Sequence, residues 1–387
     1  MKSKKKLIRI TTVPVSLEKL LENQLHFMKS YYQITAISSD RNYLERVGLL
    51  QDIPVYHVEM TRQITPIRDL KAVWQLYNYF KKEKPFIVHT HTPKAGTVGM
   101  LAAKLAGVPN RLHTIAGLPL LETTGNKRKL LNFVEKVTYN CATKIYPNSF
   151  GLKDIIMQEN FCNPSKLKVL GNGSTNGIDT SIFNAEKYSL IERNTLKEKL
   201  EILHDDFVFI FVGRLVSAKG INELIDAFKQ LNDYFPSTKL LLIGSLETVL
   251  DPLLPETLKE IELNKSIVRA GYQNDVRPFL AVSNALVFPS YREGFPNVVM
   301  QAGAMGLPSI VSNINGCNEI ITENHNGIII PVKNVVAIIK AMTKLVENKV
   351  FYNELKQNSR KRIVENYEQR VVWQALLQEY KSLEKNV

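Results

Sequence analysis

Short apolar runs alternate with longer segments whose apolar residues recur every three to four positions, from one end of the chain to the other. The first half carries the strand-like runs "KLIRITT", "YQITAIS", "IPVYHVE", "PFIVHTH", "RLHTIAG" and "ATKIYPNS". The second half carries "DFVFIFVG", "TKLLLIG", "SIVRAG", "ALVFPS", "SIVSNI" and "GIIIPV". Between them lie helical patterns such as "SLEKLLENQLHFMKSYY", "INELIDAFKQLNDYF" and "VVAIIKAMTKLVEN". This alternation predicts an α/β protein with parallel, doubly wound sheets. Two such series predict two Rossmann-like domains, residues 1–175 and 176–369, facing each other across a cleft. Their joint is the stretch "LGNGSTNGIDTSIF", 170–183, rich in Gly, Asn, Ser and Thr. The last segment, "RVVWQALLQEYKSLEKNV", 370–387, reads as an amphipathic helix that packs back on the first domain. No internal repeat, heptad array or low-complexity tract is evident. Ligands of such sheets collect at the C-terminal strand edges, so candidate chemistry belongs to the strand-to-helix loops.

Composition narrows the class. A length of 387 residues suits two domains, and a 44% hydrophobic content fills their cores. No apolar run approaches the ~20 residues that cross a bilayer. The start, "MKSKKKLIRITTVPVS", is basic, but Arg9 and two threonines break its apolar portion, so it reads as a first strand and not a signal peptide. Cys141, Cys162 and Cys317 lie far apart, which disfavours a disulfide framework or zinc site and fits a cytoplasmic chain. Charge is uneven. Residues 1–180 hold 26 Lys and Arg against 13 Asp and Glu, whereas residues 181–387 hold 24 of each. The basic half suits an anionic partner: a membrane surface, a phosphorylated substrate or nucleic acid. Chance surface composition gives the same imbalance.

Two loops carry the candidate chemistry. In "FIFVGRLVSAKGINELIDAF" a strand ends at Gly213, and Arg214 and Lys219 follow before a helix. Arg offers a planar fork to phosphate oxygens and Lys a mobile point charge, which suits a departing diphosphate. Two solvated surface cations give the same pattern. In "FPSYREGFPNVVMQAGAMGLPSIVS", strand 285–289 feeds a loop with Glu293, and a helix begins near Asn297, read as its N-cap, and stops at Gly306 and Pro308. The helix start offers free N–H groups to phosphate. Glu293 is placed to accept hydrogen bonds from ligand hydroxyls, and Gln301 lies one turn in, on the face of Asn297. An ordinary strand–helix connection with a solvated Glu is the alternative.

These motifs, in order, with "VHTHTPKAGTVGMLAAKLAGVPNRLHTIAGLP", "TKIYPNS" and the 170–183 joint, resemble the retaining nucleotide-sugar glycosyltransferases of family 4, which have the two-domain GT-B architecture. The resemblance covers nearly the whole chain. It looks closest to bacterial enzymes that build capsule, O-antigen or exopolysaccharide units on a polyprenyl diphosphate carrier. It implies that Arg214 and Lys219 bind the donor diphosphate and that Glu293 holds the transferred sugar. It assigns Gly213 and the segment Gly294, Phe295, Asn297 and Val298 to the donor, through backbone N–H groups near the helix start. Where the family usually has a second Glu on the ribose, this chain has Gln301, which keeps an acceptor but lacks the charge. Many relatives have a histidine before Gly117, where this chain has Ala116, and alternation turns His113 to the opposite side, so the usual His role does not carry over. His91, Lys94 and Gly117 are the acceptor-side candidates. His89 and His91 are read as facing opposite sides of their strand, with at least one of them structural.

The expected reaction is retaining transfer from a nucleotide diphosphate sugar, UDP-linked in first place, to a lipid-linked saccharide. No DxD sits in a convincing loop, so metal independence is expected, with no cofactor. The expected site of action is the cytoplasm, at the inner face of the membrane. The segment "GNKRKLLNFVEKVTYN", 125–140, sets Lys127, Arg128 and Lys129 beside Leu130, Leu131, Phe133 and Val134, and reads as an interfacial helix or as a core-facing helix with a basic start. Three rivals remain: a nucleotide-sugar 2-epimerase, a nucleic-acid binder and a degenerate transferase. No helix-turn-helix, zinc or RNP-like motif supports the second, and no nucleic-acid partner is expected.

Overall fold

The computed structural model describes residues 4–385. Every predicted apolar run forms a strand. In the first half these are β1 (Lys6–Ile10), β2 (Gln33–Ser38), β3 (Val55–His57), β4 (Ile87–His91), β5 (Asn110–Ile115) and β6 (Lys144–Pro147). In the second they are β7 (Phe207–Val212), β8 (Thr238–Ile243), β9 (Ile267–Gly271), β10 (Ala285–Phe288), β11 (Ser309–Ser312) and β12 (Gly327–Ile330). They make two six-stranded sheets, β3-β2-β1-β4-β5-β6 and β12-β11-β10-β7-β8-β9. All strand pairs are parallel. Helices cover both faces, which is why the strands are apolar on both sides. In each sheet the winding reverses once, between β1 and β4 and between β7 and β10, and the loops at such a reversal frame a crevice.

The chain divides into two compact units, one holding residues up to Asn176 and from Arg370 onward, the other Gly177–Gln369. In the first, Leu376, Leu377, Tyr380 and Leu383 of the terminal helix Gln369–Glu384 complete a core with Leu7, Leu17, Ile34 and Leu112. A separate core, including Val88, Val98, Leu152 and Ile156, covers the opposite sheet face. In the second unit Phe209, Phe211, Phe288, Val299 and Met300 share one continuous core, with the rings of Phe211 and Phe288 stacked at 5.8 Å.

One local reading is corrected. The segment from Ser16 is not one helix: Pro14–Leu20 and Gln24–Lys29 are separated at Asn23, whose φ is 59°. Asn tolerates that left-handed conformation, and the break keeps Leu17, Leu21, Leu25 and Met28 all buried. The first strand forms as expected, and Arg9 within it is fully buried. Its guanidinium donates to the Tyr380 hydroxyl oxygen (3.0 Å), to Gln24 Oε1 (2.6 Å) and to His91 Nε2 (2.8 Å). No described helix is long and apolar enough to cross a membrane.

Candidate active site

The second unit's reversal point gathers four loops. β7 and β10 are direct neighbours, with Phe209 beside Ala285 and Ile210 beside Leu286, so the loops that leave them start at one level of the same edge. The β7 loop is laid on the β10 loop: the Tyr291 amide donates to the Ala218 carbonyl at 3.0 Å. Gly220, at φ +70°, sits so close to Pro289 that a Cβ there would run into the Pro289 carbonyl oxygen. These constraints fix Lys219, whose ammonium pairs with Glu293 Oε1 and lies 5.3 Å from the centre of the Phe288 ring. The two side chains that the sequence placed 74 residues apart therefore meet.

The remaining loops support this pair. After β11, Asn315 Nδ2 donates to the carbonyls of Glu293 (2.5 Å) and Gly294 (3.2 Å), which holds the Glu293 backbone from below. Gly316 packs directly on Gly294 and Phe295, and a side chain there would strike the Gly294 carbonyl. Cys317, fully buried, has its thiol pushed well up by burial, with the negative charge of Glu293 adding and Lys219 opposing, so it lies within the field of the pair. After β8, Gly244 lies against the Gly213 carbonyl, and Leu215 N–H donates to the Ser245 carbonyl at 2.9 Å. Arg214 is exposed at the end of β7, and its charge helps hold the Glu247 carboxyl below its usual range, after the backbone N–H groups of Val249 and Leu250. Among the described residues, no hydrogen bond or ion pair joins Arg214 to the Lys219–Glu293 pair.

The helix expected near Asn297 spans Asn297–Ala304. Asn297 is its first helical residue and not its N-cap. Pro296 occupies the cap with extended backbone and makes no side-chain cap hydrogen bond. Proline ahead of the first turn fixes the entry without a donor, which leaves the amides of Asn297 and Val298 as helix-start donors. The Phe295 ring is buried against Tyr367, 5.5 Å between centres, so only its backbone is available to a ligand. Gln301 is half-buried one turn further on.

The acceptor-side candidates belong to the first unit. His91 ends β4 and Lys94 enters the next helix, Pro93–Leu105, at the reversal between β1 and β4. Thr12 and Thr92 close that point, hydroxyl to hydroxyl at 2.7 Å, and Thr92 holds φ at +76°, a strained value for threonine. Lys94 is engaged with Asp69 at 2.5 Å, and Gly117 lies just past β5. His89 and His91 do not face opposite sides. Residues two apart share a strand face, and their rings lie 4.4 Å apart. Both are buried with their pKa values held well down by burial and then by the Arg9 charge. Arginine only donates, so the Tyr380 proton goes to His89 Nδ1 (2.6 Å), and His89 Nε2–H goes to Thr114 Oγ1 (2.7 Å). His91 accepts at Nε2, and its buried Nδ1 has no partner. The contacts of Asn315, Cys317, Thr12 and Thr92 leave no sign in the sequence pattern, because they arise from loops that only folding brings together.

The chain belongs to the glycosyltransferases. Residues 192–362 match the family described as "Glycosyl transferases group 1", and residues 18–149 match "Glycosyl transferase 4-like". It is 35% identical to the capsular polysaccharide biosynthesis glycosyltransferase CapM of Staphylococcus aureus over 96% of this chain and 95% of that one. It is 33% identical to the UDP-Gal:alpha-D-GlcNAc-diphosphoundecaprenol alpha-1,3-galactosyltransferase of Escherichia coli over 80% of this chain and 78% of that one. In fold it resembles the crystal structure of Anabaena HepE in complex with UDP, with a TM-score of 0.81 at 17% identity over 98% of this chain and all of that one. The architecture is GT-B, and the protein is a glycosyltransferase. Neither the epimerase nor the nucleic-acid reading is favoured by these relatives.

Proposed function

We propose that this enzyme moves a hexose or N-acetylhexosamine from a UDP-sugar to a saccharide on a polyprenyl diphosphate, with retention and without a metal ion, during surface polysaccharide synthesis. The observation that carries the reading is the meeting of Lys219 and Glu293 at the β7/β10 reversal, beside the start of helix Asn297–Ala304. In this reading Gly177–Gln369 takes the donor and the basic first unit takes the acceptor. The names of the S. aureus and E. coli relatives support capsule synthesis and a diphosphoundecaprenol-linked acceptor.

The donor divides the pair between its own groups. Glu293 turns to the hydroxyls of the transferred sugar, and Lys219, joined by Arg214, turns to the diphosphate. The amides around Gly213, Gly294, Phe295, Asn297 and Val298 supply further donors, and Gln301 reaches the ribose. The sugar–phosphate C–O bond breaks as the acceptor oxygen bonds to the anomeric carbon from the same face, and the acceptor proton passes to the departing phosphate oxygen. Cationic side chains and helix-start amides balance the charge that grows there, the task a metal ion performs in other transferases. Such an acceptor is membrane-borne, and the working position is the inner face of the cell membrane, with His91, Lys94 and Gly117 on the acceptor side.

The test is a thermal-shift screen of UDP- and GDP-sugars, then transfer to a prenyl-diphosphate sugar with the product's anomeric configuration read by NMR. An α-linked donor yields an α-linked product, and EDTA leaves the rate unchanged. An inverted product, or activity lost in chelator and restored by magnesium, overturns the mechanism. Turnover of donor alone to an epimer overturns transfer.

A further inference from the structure

Helix Pro66–Glu83, which enters between β3 and β4, is built with two apolar faces. One is ordinary: Ala72, Val73, Leu76 and Phe80 are buried in the first unit's core. The other faces solvent. Ile67, Leu70 and Trp74 are 87%, 69% and 67% exposed. At 100° per residue they fall within about 60° of one another, on the side opposite Leu76. Ile64, just before the helix, is exposed as well. A soluble surface scatters single apolar side chains; a stripe of three with an exposed tryptophan marks a partner.

The surrounding charge identifies the partner's chemistry. Arg62, Arg68 and Lys71 are exposed beside the stripe. The helix has two carboxylates, and both are occupied by lysines from elsewhere, Asp69 by Lys94 and Glu83 by Lys6. The stripe therefore presents apolar side chains flanked by cations, with tryptophan at its C-terminal end. That composition fits the interface of an anionic bilayer, where indole sits at headgroup level and Lys and Arg meet lipid phosphate. We propose that helix Pro66–Glu83 inserts Ile67, Leu70 and Trp74 into the membrane surface.

This proposal rests on the membrane-borne acceptor proposed above and names the element that engages the lipid. The segment 125–140, singled out from the sequence, is a secondary contact. It forms helix Gly125–Cys141 and exposes Leu130 and Phe133 with Lys127 and Lys129, but Arg128 is held by Glu159 (2.6 Å), Asn132 and the Leu120 carbonyl. Both helices pack against Pro93–Leu105, which lies between them.

The chain's tryptophans, Trp74 and Trp373, give the test its probe. Trp373 is buried and donates to Asn176 at 2.7 Å, so a lipid-dependent emission change reports Trp74. The full-length protein is mixed with vesicles of equal phosphatidylglycerol and phosphatidylcholine, and with phosphatidylcholine alone. Expected are co-sedimentation with the anionic vesicles, a blue shift and quenching by brominated lipid, and loss of both optical signals in Trp74→Phe, which leaves sedimentation nearly intact. The triple variant Ile67→Ser, Leu70→Ser, Trp74→Ser lowers vesicle binding at least about tenfold, while its UDP-dependent thermal shift matches the parent. A blue shift absent on binding, or triple-variant binding equal to the parent, overturns the proposal. A concentration-dependent dimer that the triple variant abolishes also overturns it, in favour of a second copy. Transfer to a short-chain, detergent-free acceptor is read in parallel: its failure in the parent counts against the transferase reading, whatever the vesicles show.

Discussion

At the residue scale, the Lys219–Glu293 pair is, in the proposed reading, responsible for holding the donor and for its reaction. The two side chains are assigned to different parts of the donor, so their loss separates two readouts. Lys219→Ala removes a cation from the diphosphate and is expected to weaken UDP binding and to lower kcat by roughly 100-fold or more. Glu293→Gln keeps the shape, spares UDP binding and lowers transfer, because UDP has no transferred sugar to grip. Calorimetry with UDP beside steady-state transfer checks both; equal loss of UDP affinity in the two variants contradicts the division. Gln301→Glu restores a charge on the ribose side. A hydrogen bond to a carboxylate exceeds a neutral one by about 1 kcal/mol, so UDP should bind about fivefold tighter, read by the same titration. The places of Lys219, Glu293 and Gln301, each shortly after an apolar strand, were legible in the sequence, whereas the roles proposed for them come from the family resemblance. Asn315 and Cys317 were not legible, since a loop beyond another strand supplies them. The first strand around Arg9 formed as expected, but the burial of Arg9 was not legible, because it depends on the distant Tyr380, Gln24 and His91 that receive its protons.

At the element scale, the strands were legible and the helix details less so. Twelve apolar runs became twelve strands because burial on both faces leaves little room for polar residues. The break at Asn23 and the proline cap at Pro296 depend on single backbone conformations, which periodicity does not encode. The second apolar face of helix Pro66–Glu83 was hidden for the opposite reason: two apolar stripes on one helix blur into general hydrophobicity. The loop from Gly213 to Gly220 shows how tightly an element fixes the site. Gly220→Ala forces alanine into φ +70° and against the Pro289 carbonyl. We expect a cost of roughly 2–4 kcal/mol, from left-handed strain plus overpacking, seen as a lower urea midpoint in a transition followed by circular dichroism. UDP affinity falls as well, because Lys219 is the neighbouring residue. An unchanged midpoint shows that the two loops yield, and that Lys219 is not positioned by this contact.

At the scale of the whole molecule, the two units differ in how they meet acid. His89, His91 and His113 are buried in the first unit and uncharged; burial lowers all three, and His113 lies at about 4. In the second unit His204 and His325 are exposed. The unfolded first unit binds these protons near pH 6.5, the ordinary histidine value, while the folded unit refuses them. The stability these groups contribute is therefore complete above about pH 6.5 and declines as pH falls towards 4, by as much as about 4 kcal/mol per pH unit when all three protons count. Glu135, whose carboxyl burial pushes up, acts in the opposite sense, one group against three. Trp74 and Trp373 both belong to the first unit, so tryptophan emission follows that unit alone, whereas circular dichroism follows both. In an acid titration the emission change should come at higher pH than the main loss of circular dichroism. UDP should move the second transition and leave the first in place, since the proposed donor site lies in the second unit. A single coincident transition, displaced as a whole by UDP, would mean that the buried histidines do not set the acid limit and that the units unfold as one.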